Sequence, residues 1–128
     1  MSAAIMSKPA RPTIALIEDD PMLRSVLATA IDDANYNVVS AAGGAEGLAV
    51  LESRTIDLAI IDIVLPGRMN GIDVVREARR YNPELRVILT SGHPPPPGLD
   101  LSTLGEFMAK PARIPALLAT IARHLRRS

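Results

Sequence analysis

The chain has 128 residues, no cysteine, and 14 basic residues against 14 acidic ones, so its formal charge is zero. That length suits one domain whose core needs no staples, and the missing thiols exclude disulfides and thiolate metal sites. Neutral charge and only three aromatic residues, Tyr36, Tyr81 and Phe107, provide neither a basic field nor a stacking surface for nucleic acid, and no apolar run reaches the roughly 18 residues of a membrane span.

Residues 1–11 lack an apolar signal core and read as a flexible leader ahead of a domain over 12–128; a cytoplasmic location is the expectation. TIALI (13–17) is a β-branched apolar run, a buried strand that EDDP interrupts. From Pro21, the residues Leu23, Val26, Leu27, Ala30 and Ile31 recur at helical spacing, with Asp20 as cap and Pro21 at the first position. NVVSA (37–41) is a second strand, and GGAEGLAVLESR a short helix carrying Ala45, Leu48, Ala49 and Leu51. LAIIDIVL (58–65) is apolar on both faces, as a central parallel strand requires. PGRMNG is a loop, and IDVVREARR is helical with Ile72, Val75 and Ala78 on one face. RVILT (86–90) and EFMA (106–109) complete a set of five strands. KPARIPALLATIARHLRR forms a last helix with Ile114, Leu117, Leu118, Ile121 and Leu125 inward. Arg123, His124, Arg126 and Arg127 read as a solvated helix end that suits the helix dipole. Strands alternating with helices predict an α/β domain with a parallel sheet covered on both sides.

One carboxylate, Asp62, stands in the most hydrophobic run of the chain, where an unpartnered charge is costly. In such sheets ligands bind at the carboxyl ends of the strands. Glu18, Asp19 and Asp20 end the first strand, Asp62 the third, Thr90 and Ser91 the fourth, and Lys110 the fifth. Carboxylates sharing one rim repel unless a cation joins them, and oxygen ligands without His or Cys suit a hard ion such as Mg²⁺. A carboxylate nucleophile, a metal, a lysine and a hydroxyl together make a site for phosphoryl transfer to aspartate.

LIEDDPMLR, LAIIDIVLPG, VILTSG and FMAKP resemble, in order and separation, the signature segments of bacterial response-regulator receiver domains, here of the stand-alone type. The resemblance runs from about Thr13 to the end of the last helix. It implies a flavodoxin-like doubly wound sheet with strand order 2-1-3-4-5. It also implies that Asp62 accepts a phosphoryl group from the phosphohistidine of a sensor histidine kinase or a histidine phosphotransfer domain. Asp19 would hold Mg²⁺ directly, Glu18 mainly through water, and the main-chain carbonyl of Val64 would complete the shell. Thr90 and Phe107 match the switch hydroxyl and switch aromatic, and Lys110 the lysine that pairs with phosphoryl oxygens. The Lys110–Pro111 peptide is expected to be cis. A kinase would dock near Met22 and Ser25 and on the loop after Lys110. Strand five, the last helix and the segment between strands four and five would form the output face, and the chain would be a monomer or weak dimer.

The chain departs from the family at Phe107, which lacks a phenol hydroxyl, and at Ala112, where an aromatic is common and less is left to pack beneath the loop. GHPPPPGLDLSTLG (92–105) stands where the fourth helix belongs; four prolines force extended backbone, so that helix is expected to be missing or a turn over 99–104. An aspartate-nucleophile phosphatase is the enzymatic alternative, disfavoured because its usual second acid is replaced by Val64. A receiver-shaped module that is never phosphorylated is another, disfavoured by the complete set of acidic, hydroxyl and lysine positions. Val64 and Gly92 also place no polar side chain beside an attacking water. Self-dephosphorylation is therefore expected to be slow; a phosphoryl half-life of only seconds in the isolated protein contradicts this.

Overall fold

A computed structural model of the protein describes residues 11–95 and 97–126. The leader expected over residues 1–11 lies outside this range apart from Arg11, as do Pro96 of the proline run and Arg127.

The strands are β1 (Thr13–Ile17), β2 (Asn37–Ala41), β3 (Leu58–Asp62), β4 (Val87–Ser91) and β5 (Glu106–Ala109). They pair in parallel in the order β2-β1-β3-β4-β5. The helices are α1 (Pro21–Asp33), α2 (Gly44–Ser53), α3 (Gly71–Tyr81) and α4 (Ile114–Leu125). Period-two alternation sorts the strand side chains into two cores. Ile14, Leu16, Leu58, Ile60 and Ile88 meet Leu27 and Ile31 of α1 and Leu117 and Ile121 of α4. Ala15, Ile17, Ala59, Ile61 and Leu89 meet Ile72, Val75 and Ala78 of α3, with Leu48 and Leu51 of α2 packed against them.

Local signals set most boundaries. Asp20 caps α1, its Oδ1 accepting from the N–H groups of Met22 and Leu23 at 3.0 and 3.3 Å. Asn70 and Asp73 form a reciprocal capping box on α3. β3 is shorter than the apolar run suggests: it ends at Asp62, and Ile63 and Leu65 are buried in the following loop instead. The reason is a close approach by Gly71, whose N–H donates to the Ile63 carbonyl at 2.8 Å. A Cβ on Gly71 would stand 2.1 Å from the Asp62 carbonyl oxygen. Val26, placed on the inner stripe by spacing, is 48% exposed, and Thr120 is buried, its hydroxyl bonded to the Ala116 carbonyl at 2.9 Å.

Among the described residues no α-helix stands between β4 and β5; a 3-10 turn at Leu101–Thr103 takes its place, capped by Asp100. Leu99, Leu101 and Leu104 still reach the core beside Phe107. The basic end of α4 does more than meet solvent: Arg123 Nη2 and His124 Nε2 hold the Glu106 carboxylate at 2.7 and 2.9 Å and tie the helix to β5. The Lys110–Pro111 peptide is cis.

Backbone, not a flexible side chain, blocks the space at Gly71. Gly71→Ala is expected to lower the unfolding free energy by about 2 kcal/mol, read by urea denaturation; a midpoint equal to the wild type contradicts it.

Candidate functional site

The parallel register delivers the polar residues to one edge. Asp62 is the β3 partner of Thr90, Thr90 pairs with Met108, and Ser91 pairs with Ala109. One step past β5, the Lys110 N–H donates to the Ser91 carbonyl at 2.8 Å. Glu18 follows β1, and its N–H donates to the Ala41 carbonyl at 3.0 Å. The backbone ladder thus sets residues distant in sequence around one cup.

Lys110 occupies the centre. Its Nζ lies 2.7 Å from Asp62 Oδ2 and 2.7 Å from Glu18 Oε1. Both carboxylates are deeply buried, Glu18 at 2% and Asp62 at 5% exposure. Their second oxygens are also engaged: the Asp20 N–H donates to Glu18 Oε2 at 3.1 Å, and the Val64 N–H to Asp62 Oδ1 at 3.0 Å. Among the described residues no buried side-chain polar atom is left without a partner. This resolves the cost of Asp62: a buried charge is tolerated when it is paired and hydrogen-bonded.

The pairing is incomplete as a charge balance. One ammonium faces two buried carboxylates, and Asp19 adds a third on the exposed rim. Burial raises the Glu18 carboxyl above its ordinary value, outweighing its bonds to Lys110 and to the Asp20 amide. Burial pulls Lys110 down, but its bonds to Asp62 and Glu18 outweigh this and hold it above the ordinary lysine value. Glu18, Asp19 and Asp62 each offer an oxygen, the three lying within 4.8 Å of one another. An all-carboxylate set of this kind fits a hard divalent cation.

Of the expected residues, the structure brings Glu18, Asp19, Asp62 and Lys110 together, with Thr90 beside Asp62. Val64 borders them through its N–H, and its side chain is 53% exposed. Phe107 stands apart: it pairs with Leu89 and packs, half-buried, in the core on the α2–α3 side. Sequence reasoning missed Arg24, whose Nη1 donates to the Glu18 carbonyl at 2.8 Å. Its signal was an arginine in the first turn of a helix that begins at the acidic loop.

A family model for the response regulator receiver domain matches residues 14–122. The transcriptional regulatory protein GlrR of Escherichia coli (strain K12) is 33% identical over 124 residues, 94% of this chain and 27% of that protein. The chain therefore spans little more than a quarter of that relative's length, 27%. A CheY-like receiver domain protein from Methanospirillum hungatei superposes with a TM-score of 0.83 at 26% identity, covering 89% of this chain and 93% of that one. The response regulator protein TrrA from Thermotoga maritima, solved in complex with Mg(2+)-BeF, superposes at 0.81 with 25% identity, covering 89% and 99%. One family's pattern running from Ile14 to Ala122, on a sheet with the expected strand order, leads to a single conclusion: this chain belongs to the response regulator receiver domain family of two-component phosphorelay signalling.

Proposed function

We propose that the protein accepts a phosphoryl group on Asp62, in the presence of Mg²⁺, from a phosphohistidine of a sensor histidine kinase or histidine phosphotransfer domain. It answers by altering a protein-binding face made by β5 and α4. The observation that carries this reading is Lys110 Nζ at 2.7 Å from both Asp62 and Glu18, inside a three-carboxylate cluster. TrrA, which shares this fold, was solved in complex with Mg(2+)-BeF, which supports the same chemistry here.

In the proposed step an Asp62 oxygen forms a bond to phosphorus as the phosphorus–nitrogen bond of the donor breaks. The imidazole leaves with the electron pair and takes a proton. Asp19, Asp62 and the Val64 carbonyl would hold Mg²⁺ directly and Glu18 mainly through water, and the bound ion would supply charge neutralisation. Esterified Asp62 no longer carries its own charge, and the new group brings about −1.5 to −2 with three strong acceptors. Lys110, already in place, then pairs with phosphoryl oxygens, and Thr90 on the adjacent strand gains an acceptor for its hydroxyl. Phe107, on β5 between Glu106 and Met108, follows by packing. The phosphoryl group thereby biases an existing equilibrium through contacts made in one state only. No turnover of an external substrate belongs to this reading. With Val64 in place of a second acid, the phosphatase alternative lacks its proton donor.

Incubation with acetyl phosphate and Mg²⁺, followed by intact mass measurement, is expected to show one added phosphoryl group that Asp62→Asn abolishes. Equal labelling of Asp62→Asn overturns the assignment.

The buried Glu18 predicts a second result. A carboxyl raised above its unfolded value contributes stability that is complete below the unfolded value and is lost as pH rises through the folded one. In metal-free protein, Glu18→Gln is therefore expected to gain stability over wild type as pH rises past the ordinary value of 4.5, seen as a higher Tm at pH 7. Added Mg²⁺ raises the wild-type Tm by mass action and that of Glu18→Gln by less. Thermal melts with and without Mg²⁺ read both; a lower metal-free Tm for the variant at pH 7 contradicts it.

A further inference from the structure

The edge of the sheet opposite the acidic cup carries the reverse charge. At the amino ends of β4 and β5 an open cleft of about 430 Å³ lies between the end of α3, the 3-10 turn and the end of α4. Two guanidiniums, those of Arg79 and Arg86, stand in its wall. Arg79 is half-buried, its Nη1 donating to the Thr103 carbonyl at 3.1 Å and its Nη2 to the Leu85 carbonyl at 2.9 Å. Among the described residues neither arginine reaches a carboxylate within ion-pair distance. Burial pulls Arg79 below its ordinary value with no anion to offset it. The one carboxylate in the wall, Glu106, is already held by Arg123 and His124 at 2.7 and 2.9 Å.

The remaining wall is apolar and low. Leu85 and Val87 are buried, and Gly105 packs so closely on β4 that a Cβ there would stand 2.5 Å from the Val87 carbonyl oxygen. No side chain can therefore rise from residue 105 into the cleft. The volume falls within the roughly 300–1,000 Å³ of small-molecule sites, which join an apolar surface to a few convergent polar groups. Guanidinium forks match phosphate oxygens in bidentate pairs. Two unpaired guanidiniums call for more than one negative charge, and the low apolar wall leaves room for a flat ring.

We infer that this cleft is a second ligand site and that it takes a nucleoside diphosphate, with the phosphates on Arg79 and Arg86 and the base against Leu85, Val87 and Gly105. The cleft lies at the amino ends of the strands and Asp62 at the carboxyl end of β3, so binding here requires neither Mg²⁺ nor phosphorylation. The inference stands apart from the phosphoacceptor reading of Asp62.

The probes are ADP and GDP, with inorganic pyrophosphate and adenosine as partial ligands. Each is titrated calorimetrically into the full chain in magnesium-free buffer, so that no metal can hold a phosphate in the acidic cup. At least one of the two nucleotides is expected to bind saturably with a Kd below about 1 mM, and more tightly than pyrophosphate or adenosine. Arg86 is exposed, so Arg86→Ala and Arg86→Lys are expected to fold, which thermal melts verify. Arg86→Ala is expected to weaken the nucleotide about tenfold and Arg86→Lys by less, since lysine keeps the charge and loses the fork. Acetyl phosphate labelling of both variants is expected to match wild type, and Asp62→Asn is expected to bind the nucleotide as wild type does. No saturable binding of either nucleotide overturns the inference, as does binding that Arg86→Ala leaves unchanged or that Asp62→Asn abolishes. Pyrophosphate binding as tightly as both nucleotides also overturns it, because the apolar wall then holds no ring.

Discussion

The bridge from Lys110 to Asp62 and Glu18 is the contact on which the site depends. It makes two buried carboxylates tolerable at the edge of an otherwise apolar sheet, and it does so with one charge too few. The deficit is visible in Glu18, whose ionised form burial disfavours even with an ammonium at 2.7 Å. A site built this way is stabilised by whatever positive charge arrives and is altered when one carboxylate loses its own. Both consequences follow from burial and charge count.

The two cores place this bridge between differently built halves. On one side α1 and α4 pack on Ile14, Leu16, Ile60 and Ile88 and leave a small cavity beneath Ala112. On the other, α2 and α3 approach so closely that glycine stands at Gly47 and Gly71; a Cβ at Gly47 would meet Ile17 Cδ1 at 2.5 Å. The segment between β4 and β5 contributes a single 3-10 turn among the described residues, and Leu99, Leu101 and Leu104 join the same core as Phe107 in place of a regular helix. β5 and α4 are clamped through Glu106 to Arg123 and His124. The face proposed for output is thus joined by the Glu106 contacts at its far end and by the Lys110 loop at its near end.

Much of this was legible in the residue order. Five apolar runs separated by helical stretches specify a parallel α/β sheet, because only burial on both faces explains runs such as Leu58–Ile61. The cap at Asp20 and the proline run at 94–97 act on their own backbone, so they read correctly without tertiary information. The end of β3 did not, because the strand stops where Gly71, nine residues later in the chain, takes up the Ile63 carbonyl. Val26 misled for a related reason: helical spacing marks a stripe, but how far the stripe is covered depends on α4.

The sequence by itself determined the fold class and the edge on which Glu18, Asp19, Asp62, Thr90 and Lys110 gather, since strand polarity sends every strand's carboxyl end the same way. Only the tertiary structure decided that one amine bonds two carboxylates, that Arg24 holds the Glu18 carbonyl, and that a void lies under Ala112. Those are distances between side chains brought together from separate elements, and no local pattern encodes them.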